Sequence, residues 1–385
     1  MEAAHDDCVA RLAPQLTELD PGLRRALAEL ARGINPLFAR PEPYQQAIRY
    51  IAGLLGRAQR KNSWQLAAST GQDSPWRMQR LLNRAAWDAD GVRDVVRDYV
   101  LRRLWRPDGV LAVTDLRVPK KGARSVGVAP QCAASGRQPE NCQVGVLIGY
   151  ASGQGCALVD RELYLPESWT ADPLRCRRAG VPQERLRHRS RAELATWMIA
   201  RSLGAGVAVS WVTGGMAYGP DPTLLRYLDA HQLGYVLAVP PTHRTPIGGA
   251  RLAQVDSLAA KLTPDRWEWH GTKAGDWPAR QEWARVQLPA GRADRSGLAR
   301  SVLVRRDPAG GSRLACYLVR APQSSPTSAL VAVAGAGRAM DGSVRSAVER
   351  VGLGSYEVRT WTAWYRHVTL AMVAIASLAT GWPHD

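Results

Sequence analysis

The sequence predicts an α+β protein whose core is a mixed β-sheet, and three observations carry that reading. Residues 1 to about 105 hold apolar residues at helical spacing and no convincing strand. From Val110 the period shortens to that of β-strands, in runs broken by Gly, Pro and polar turns. Beyond Ala192, helical and strand-like stretches alternate. A chain of 385 residues, 45% hydrophobic and 22% charged, is long enough for two or three structural units. That composition excludes wholesale disorder, a collagenous repeat and a small disulfide scaffold.

Residues 1–105 read as a helical N-terminal region. Leu12, Leu16 and Leu19 give one apolar face, and Ile48, Ile51, Leu54 and Leu55 another. In NSWQLAASTGQDSPWRMQRLLNRAAW a short helix, a Thr70-Gly71 break and a helix start at Ser74-Pro75 follow one another, the order of a helix-turn-helix. Arg77, Arg80 and Arg84 recur at i, i+3 and i+7, so one face of the second helix is basic while Met78, Leu81 and Leu82 turn inward. That suits a helix laid against DNA, although the solvated face of an ordinary bundle carries the same pattern. Asp88 then opens a further helix through Val92, Val95, Val96 and Leu104.

Residues 106–240 read as the first part of the core. VLAVTD, SVGVAP, CQVGVLIGYAS and CALVDREL predict an antiparallel meander. A helix over 192–203, a buried strand over 207–213, a helix over 222–230 and a strand over 234–240 follow. Antiparallel strands succeeded by α-β-α-β are the order expected of a ribonuclease-H-like domain, a mixed sheet flanked by helices, and on pattern alone other α/β folds share it. Residues 241–325 are turn-rich, with strands at WEWHG, ARVQLPA, ARSVLVRR and RLACYLVRA, and form a β-rich insertion. Residues 326–385 return to helix, over 338–350 and 360–380, and complete the core. The last helix is apolar on most faces, which implies packing inside the protein.

Charge points to the partner. Lys plus Arg number 51 against 34 Asp plus Glu, a net +17 that favours a polyanion such as nucleic acid. Lys61, Lys120, Lys121, Lys261 and Lys273 are the only lysines, and Phe38 stands alone beside 14 Trp. Such a bias looks like GC-rich coding, which accounts for Arg over Lys but not for the shortage of acids. Cys8, Cys132, Cys142, Cys156, Cys176 and Cys316 are scattered, with no CxxC and no His at metal spacing, so neither zinc nor a redox motif is indicated. Cys142 and His367 are single candidates for chemistry, better explained by burial. The N-terminus lacks the basic and apolar regions of a signal peptide. The apolar run Val368 to Ala379 is shorter than the roughly 20 residues that span a bilayer, so no membrane partner is expected.

The runs VPKKGARSVGVA, ENCQVGV, DRELYLPESWTAD and YEVRTWTAWYRHVTLAM resemble the signature blocks of bacterial insertion-sequence transposases of the DDE class, the DDE superfamily endonucleases. With RKNSWQLA and MQRLLNRAAWDADGVRD they cover about residues 58 to 380 in family order. The resemblance implies a ribonuclease-H-like catalytic domain, a helical DNA-binding region, and a β-rich insertion between the second and third catalytic acids. It also implies three carboxylates holding two divalent metals, which activate a nucleophile and stabilise the leaving oxygen.

This chain departs from the family at each acid. The first opens an Asp-Asp/Glu-Thr-Gly motif ahead of Lys-Lys-Gly; here the stretch is Thr114-Asp115-Leu116-Arg117, so Thr114 takes the metal-binding position. Asp115 is its acidic neighbour, and neighbours on a strand face opposite sides unless the strand bulges or ends there. The second acid belongs to Asp-x-x-Tyr-Gly; Tyr218 and Gly219 match, and the acid position is Gly215. The third falls at Asp341, a shorter acid than the family's Glu, with Val348 at the motif lysine. Glu357 follows that motif and suits pairing or capping rather than catalysis. The family Mg²⁺ site is therefore expected to be lost, and no cofactor is expected.

The reading that follows is a domesticated transposase relative that binds DNA without cleaving it, in the bacterial cytoplasm and associated with the nucleoid. Arg77, Arg80, Arg84, Lys120, Lys121 and Arg124 would contact phosphates. The cluster Arg175, Arg177, Arg178, Arg185, Arg187, Arg189 and Arg191 adds positive charge, and Trp76, Trp87 and Trp105 are candidates for stacking on bases. A homodimer is compatible with this reading. An alternative turns the former metal cleft, around Thr114, Leu116, Gly215 and Met216, into an apolar pocket for a small molecule. A third reading is a decaying gene product, against which the intact hydrophobic patterning stands.

Overall fold

The structure, a computed structural model, describes residues 19–132, 138–248, 251–271, 281–289, 297–306 and 314–381. Leu12 and Leu16 of the first predicted apolar face, and Cys8, lie outside them. In chain order the helices α1 (Pro21–Ile34), α2 (Pro41–Leu55), α3 (Ser63–Ser69), α4 (Trp76–Asn83) and α5 (Ala89–Leu104) come first. The strands β1 (Val110–Pro119), β2 (Ala129–Gln131), β3 (Glu140–Ser152) and β4 (Gly155–Leu163) follow. Next are α6 (Glu167–Thr170), α7 (Pro173–Arg178), α8 (Arg191–Gly204), β5 (Trp211–Gly214), α9 (Pro222–Ala230) and β6 (Gly234–Val239). The short β7 (Arg244–Pro246), β8 (Leu252–Gln254), α10 (Val255–Ala259) and β9 (Glu268–His270) precede β10 (Gln281–Gln287), β11 (Leu298–Arg306) and β12 (Ala315–Pro322). Two long helices, α11 (Thr327–Arg350) and α12 (Trp361–Gly381), close the chain.

Local chemistry explains most of the helix starts. Asp20, Asn62, Asp88, Asp172 and Asp221 cap helices by accepting first-turn backbone N–H groups. Ser190 and Glu193 form a reciprocal capping box at the start of α8. Proline stands in the first turn of α1, α2, α7 and α9, where its missing N–H costs nothing.

The chain divides into two compact units. The first comprises residues 1–105, 115–189 and 343–385, and the second residues 106–114 and 190–342. In the first unit α12 is the hub. Nearly every residue from Trp361 to Ser377 is buried, and the helix packs on α1, α2, α4, α5 and β4. The all-round apolar pattern read from the sequence is thus satisfied inside the protein. Beside this bundle, β3 lies between β1 on one side and β2 and β4 on the other, with both β2 and β4 antiparallel to it.

In the second unit the strand order is β1-β5-β6-β12-β11-β10-β9. β1, β5 and β6 are parallel, whereas β12, β11, β10 and β9 continue the sheet antiparallel. The late strands at residues 281–322 therefore extend the same sheet, through β12 on β6. Val236, Trp283, Leu303, Val319 and Ala321 of the strands and Leu330, Val331, Val333 and Ala334 of α11 form its core. The mixed sheet with flanking helices is the ribonuclease-H-like α+β fold that the sequence predicts.

Three elements differ from expectation. Of the predicted SVGVAP strand only Ala129 and Pro130 pair, in β2, because the Val128 N–H returns to the Ser125 carbonyl in a turn. The strand predicted over 207–213 begins only at Trp211, because the Val207 N–H returns to the Ser202 carbonyl and is still closing the end of α8. The helix predicted over 338–350 begins at Thr327. Gly337 masks it in the sequence as a poor helix former, yet a side chain there would crowd Thr213 of β5. Among the described residues no helix is long and apolar enough to cross a membrane.

Candidate functional site

β1 and β5 run parallel in a register that ends on Val113 beside Gly214. The next residues, Thr114 and Gly215, therefore lie just past the β1–β5 ladder, at the carboxyl end of β5, the end of a parallel pair where open α/β sheets place their ligands. α11 supplies the third side. Gly337 sits against Thr213, whose hydroxyl donates to the Val236 carbonyl at 2.8 Å. One helical turn further, on the same face, Asp341 stands over Thr114. The Thr114 hydroxyl donates to Asp341 Oδ1 at 2.6 Å. Thr114 and Asp341, 227 positions apart, thus meet in the second unit, and Gly215 follows the end of the strand beside Thr114.

The site is poor in charge. Thr114 is buried and contributes a hydroxyl already committed to Asp341, which is exposed. Gly215 is exposed and has no side chain; a Cβ there would meet nothing within 4 Å. Its carbonyl accepts from Tyr218 N at 2.9 Å, the Tyr218 ring is buried, and a side chain on Gly219 would run into the Ala238 carbonyl of β6. The Tyr-Gly pair that matches the family is thus a packing requirement of the turn. Behind the site burial pushes the Tyr317 phenol up, with Arg305 and Arg338 acting against it and Asp341 with it.

Asp115 does not repair the deficit. β1 continues unbroken to Pro119, so the residue after Thr114 points to the opposite side of the strand. Leu116 is buried beside Gly145 in the first unit, and Met216 is exposed. A cavity of about 490 Å³ lies elsewhere in the first unit, lined by Cys156, Ser343, Arg350, Val351, Ile375 and Leu378 among others. A pair of divalent ions needs several carboxylates, and the converged positions offer one, so this donor set does not fit the metals that the resemblance implies. No group of three or more His, Cys, Asp or Glu that could hold a metal occurs among the described residues.

The basic residues divide by availability. Arg77, Arg80 and Arg84 are exposed on α4, opposite the buried Met78, Leu81 and Leu82. Lys121 and Arg124 are exposed as well. Lys120 is engaged: its ammonium donates to the Tyr356 carbonyl at 2.8 Å and lies 4.0 Å from the Tyr356 ring centroid. Burial brings it down to about 8, against the pull of Glu357. In the arginine cluster, Arg175 stacks on Trp169 and donates to the Ala123 carbonyl, and Arg185 pairs with Glu162, while Arg177, Arg178 and Arg187 remain exposed. Of the indoles, Trp87 is buried, stacked on Phe38 and donating to the Leu81 carbonyl, whereas Trp76 and Trp105 are exposed.

The signature blocks prove to be scaffolding around the first unit's hub. Arg161 is fully buried, ion-paired with Asp90 at 2.9 Å and donating to the Thr369 hydroxyl, and Arg93 reaches Asp160 at 3.1 Å. Glu162 accepts from the Tyr365 hydroxyl at 2.6 Å. Arg366 donates to the Leu82 carbonyl at 3.2 Å, which ties the end of α4 to α12. The His367 Nε2 faces the Leu353 carbonyl, so it carries the proton and Nδ1 accepts from the Tyr50 hydroxyl at 2.8 Å. Residue-by-residue reading missed this buried polar network; its signal was Arg366 and His367 inside an otherwise apolar helix.

Among known families, the model described as DDE superfamily endonuclease matches residues 35–297, more than half of the chain. No curated protein matches it.

Proposed function

The chain belongs to the DDE superfamily endonucleases, and from that membership we propose that it is a transposase-like protein that binds DNA without cutting it. One observation supports the proposal: of the three positions that the resemblance gives to the family's acids, Thr114 is hydrogen-bonded to Asp341 and Gly215 follows the end of the neighbouring strand, and together they present a single carboxylate. Strand transfer by two metals needs charge that this set does not supply. What remains is the capacity to hold a polyanion, with the exposed Arg77, Arg80, Arg84, Lys121 and Arg124 as the phosphate contacts. Such a protein is a domesticated pseudoenzyme that occupies DNA, as a regulator would, and its place is with the bacterial nucleoid.

The test is a titration of purified protein against random-sequence duplex DNA at increasing salt, with Mg²⁺ present and the DNA examined for nicks. Binding that weakens steeply with salt and leaves the DNA intact is the expected result. Mg²⁺-dependent nicking by the unmodified protein overturns the loss of cleavage, and absence of binding at low salt overturns the DNA-binding assignment.

A further inference from the structure

Two large indoles of the first unit stand in solvent, on α3 and at the start of α4, the helix whose arginines face solvent. Trp64 on α3 is 65% exposed and Trp76 at the start of α4 is 59% exposed. Tryptophan is highly buried on average, and this chain buries Trp87, Trp169 and Trp364 in the same unit. Neither exposed indole is a loose end. α3 is held by its Asn62 cap, by the buried Leu66 and Ala67, and by the Thr70 hydroxyl on the Leu66 carbonyl at 2.8 Å. The Arg80 guanidinium lies 5.3 Å from the Trp76 ring centroid, which orients that ring from the next turn of α4.

The surroundings are cationic. Arg60, Arg77, Arg80 and Arg84 are all exposed, and none has an ion-pair partner among the described residues. From Arg57 to Arg84 the only acid is Asp73. A surface that joins exposed aromatic faces to arginines without ion-pair partners among the described residues matches a ligand that itself alternates anions with flat rings. Duplex DNA answers only half of this description, because its base faces are covered by their neighbours and only their edges reach the grooves. Unpaired bases expose the faces, and they stack on aromatic side chains whatever their sequence.

We propose that the α3–α4 surface binds DNA carrying unpaired bases, with Trp64 and Trp76 stacking on bases while the neighbouring arginines hold the phosphates. The inference rests on the DNA-binding reading above and deepens it by naming the form of DNA. It does not involve the degenerate acid site, which lies in the other unit.

The experiment measures affinity, by fluorescence anisotropy at one salt concentration, for a duplex, for the same duplex with a single-stranded overhang, and for oligo-dT. The full chain is compared with the W64A/W76A and W64F/W76F variants. The unmodified protein is expected to prefer the DNAs with unpaired bases. W64A/W76A is expected to lose on them at least the roughly 5- to 150-fold of one stacked base, and less than threefold on the duplex. W64F/W76F should keep most of the affinity, since a smaller ring still stacks. Equal affinity of the unmodified protein for all three DNAs overturns the inference while leaving DNA binding standing. So does an equal loss on all three in W64A/W76A. Failure to bind any of them overturns the DNA-binding reading and this inference with it. Loss of self-association in W64A/W76A with DNA affinity intact assigns the surface to a second copy of the chain and overturns it too.

Discussion

Restoring two acids, Thr114→Asp with Gly215→Asp, is expected to make the stability of the protein depend on divalent metal. At Gly215 the new side chain enters open space on backbone outside the left-handed region, so the change costs no more than about 0.5 kcal/mol. Thr114 behaves differently. Its hydroxyl donates to Asp341 at 2.6 Å, and a carboxylate in its place removes a hydrogen bond to a charged group, worth about 1.5–3 kcal/mol. It also sets two like charges about 4 Å apart, a repulsion of about 1 kcal/mol in water and about 4 kcal/mol at an effective dielectric of 20. With Thr114 buried and Asp341 exposed, about 2 kcal/mol is the appropriate middle value. The metal-free variant should therefore lose about 4 kcal/mol, which for a unit of this size lowers Tm by roughly 8–16 °C. A metal that binds only the folded state returns about 2.7 kcal/mol at a hundred times its Kd, recovering more than half of the loss. Differential scanning fluorimetry with and without saturating Mg²⁺ or Mn²⁺ reads this directly. The unmodified protein, with one carboxylate in the site, should show no comparable shift. A variant whose Tm ignores both metals, or an unmodified protein that shifts as far as the variant, would refute the reasoning about the donor set.

Three further outcomes are expected. Gly352 has a φ of +73° and lies against the stem of the buried Lys61, whose ammonium caps the carbonyls at the end of α2. Gly352→Ala should cost about 2 kcal/mol or more, visible as a lower denaturant midpoint. Burial brings the His367 imidazole down to about 4, with Lys120 nearby acting in the same direction and the Leu353 carbonyl against. The unfolded chain therefore takes up a proton through pH 6.5 while the folded one does not, and stability present above that pH falls by about 3 kcal/mol on the way down to pH 4. Denaturation profiles of His367→Gln across this window should lack that share of the slope; an unchanged slope would show that the imidazole is not held neutral. Finally, K121A/R124A should reduce the salt dependence of DNA binding by about two units of log–log slope, whereas Lys120→Met should leave it nearly unchanged, since the Lys120 ammonium already serves Tyr356.

Much of the architecture is legible in single stretches of chain. Asp88 capping α5, the Thr70-Gly71 break, and the inward Met78, Leu81 and Leu82 of α4 all follow from periodicity and cap chemistry within a few residues. The expectations that failed were those a neighbour overrides. The segment Val207–Ser210 is β-rich in composition, but its first N–H is used by α8. Thr327–Arg338 looks too glycine-rich for a helix until Thr213 is seen to require the close approach at Gly337.

The candidate site divides in the same way. Sequence alone supports the expectation that Thr114 and Gly215 take positions where the resemblance implies acids, because a motif is a local string and its departures are visible one residue at a time. It equally determined the surplus of arginine. Only the tertiary structure decided that Asp341 is held by Thr114, across 227 positions of chain, and that Thr114 and Gly215 follow paired residues of neighbouring strands. Only it decided which cations are available: Arg175 and Arg185 are consumed by Trp169 and Glu162, while Arg77, Arg80 and Arg84 face solvent. The same holds for the indoles, with Trp87 in the core and Trp64 and Trp76 outside it. The physical reason is that propensity and charge belong to each residue and its immediate neighbours, whereas burial, pairing and convergence depend on contacts that exist only after the chain has closed on itself.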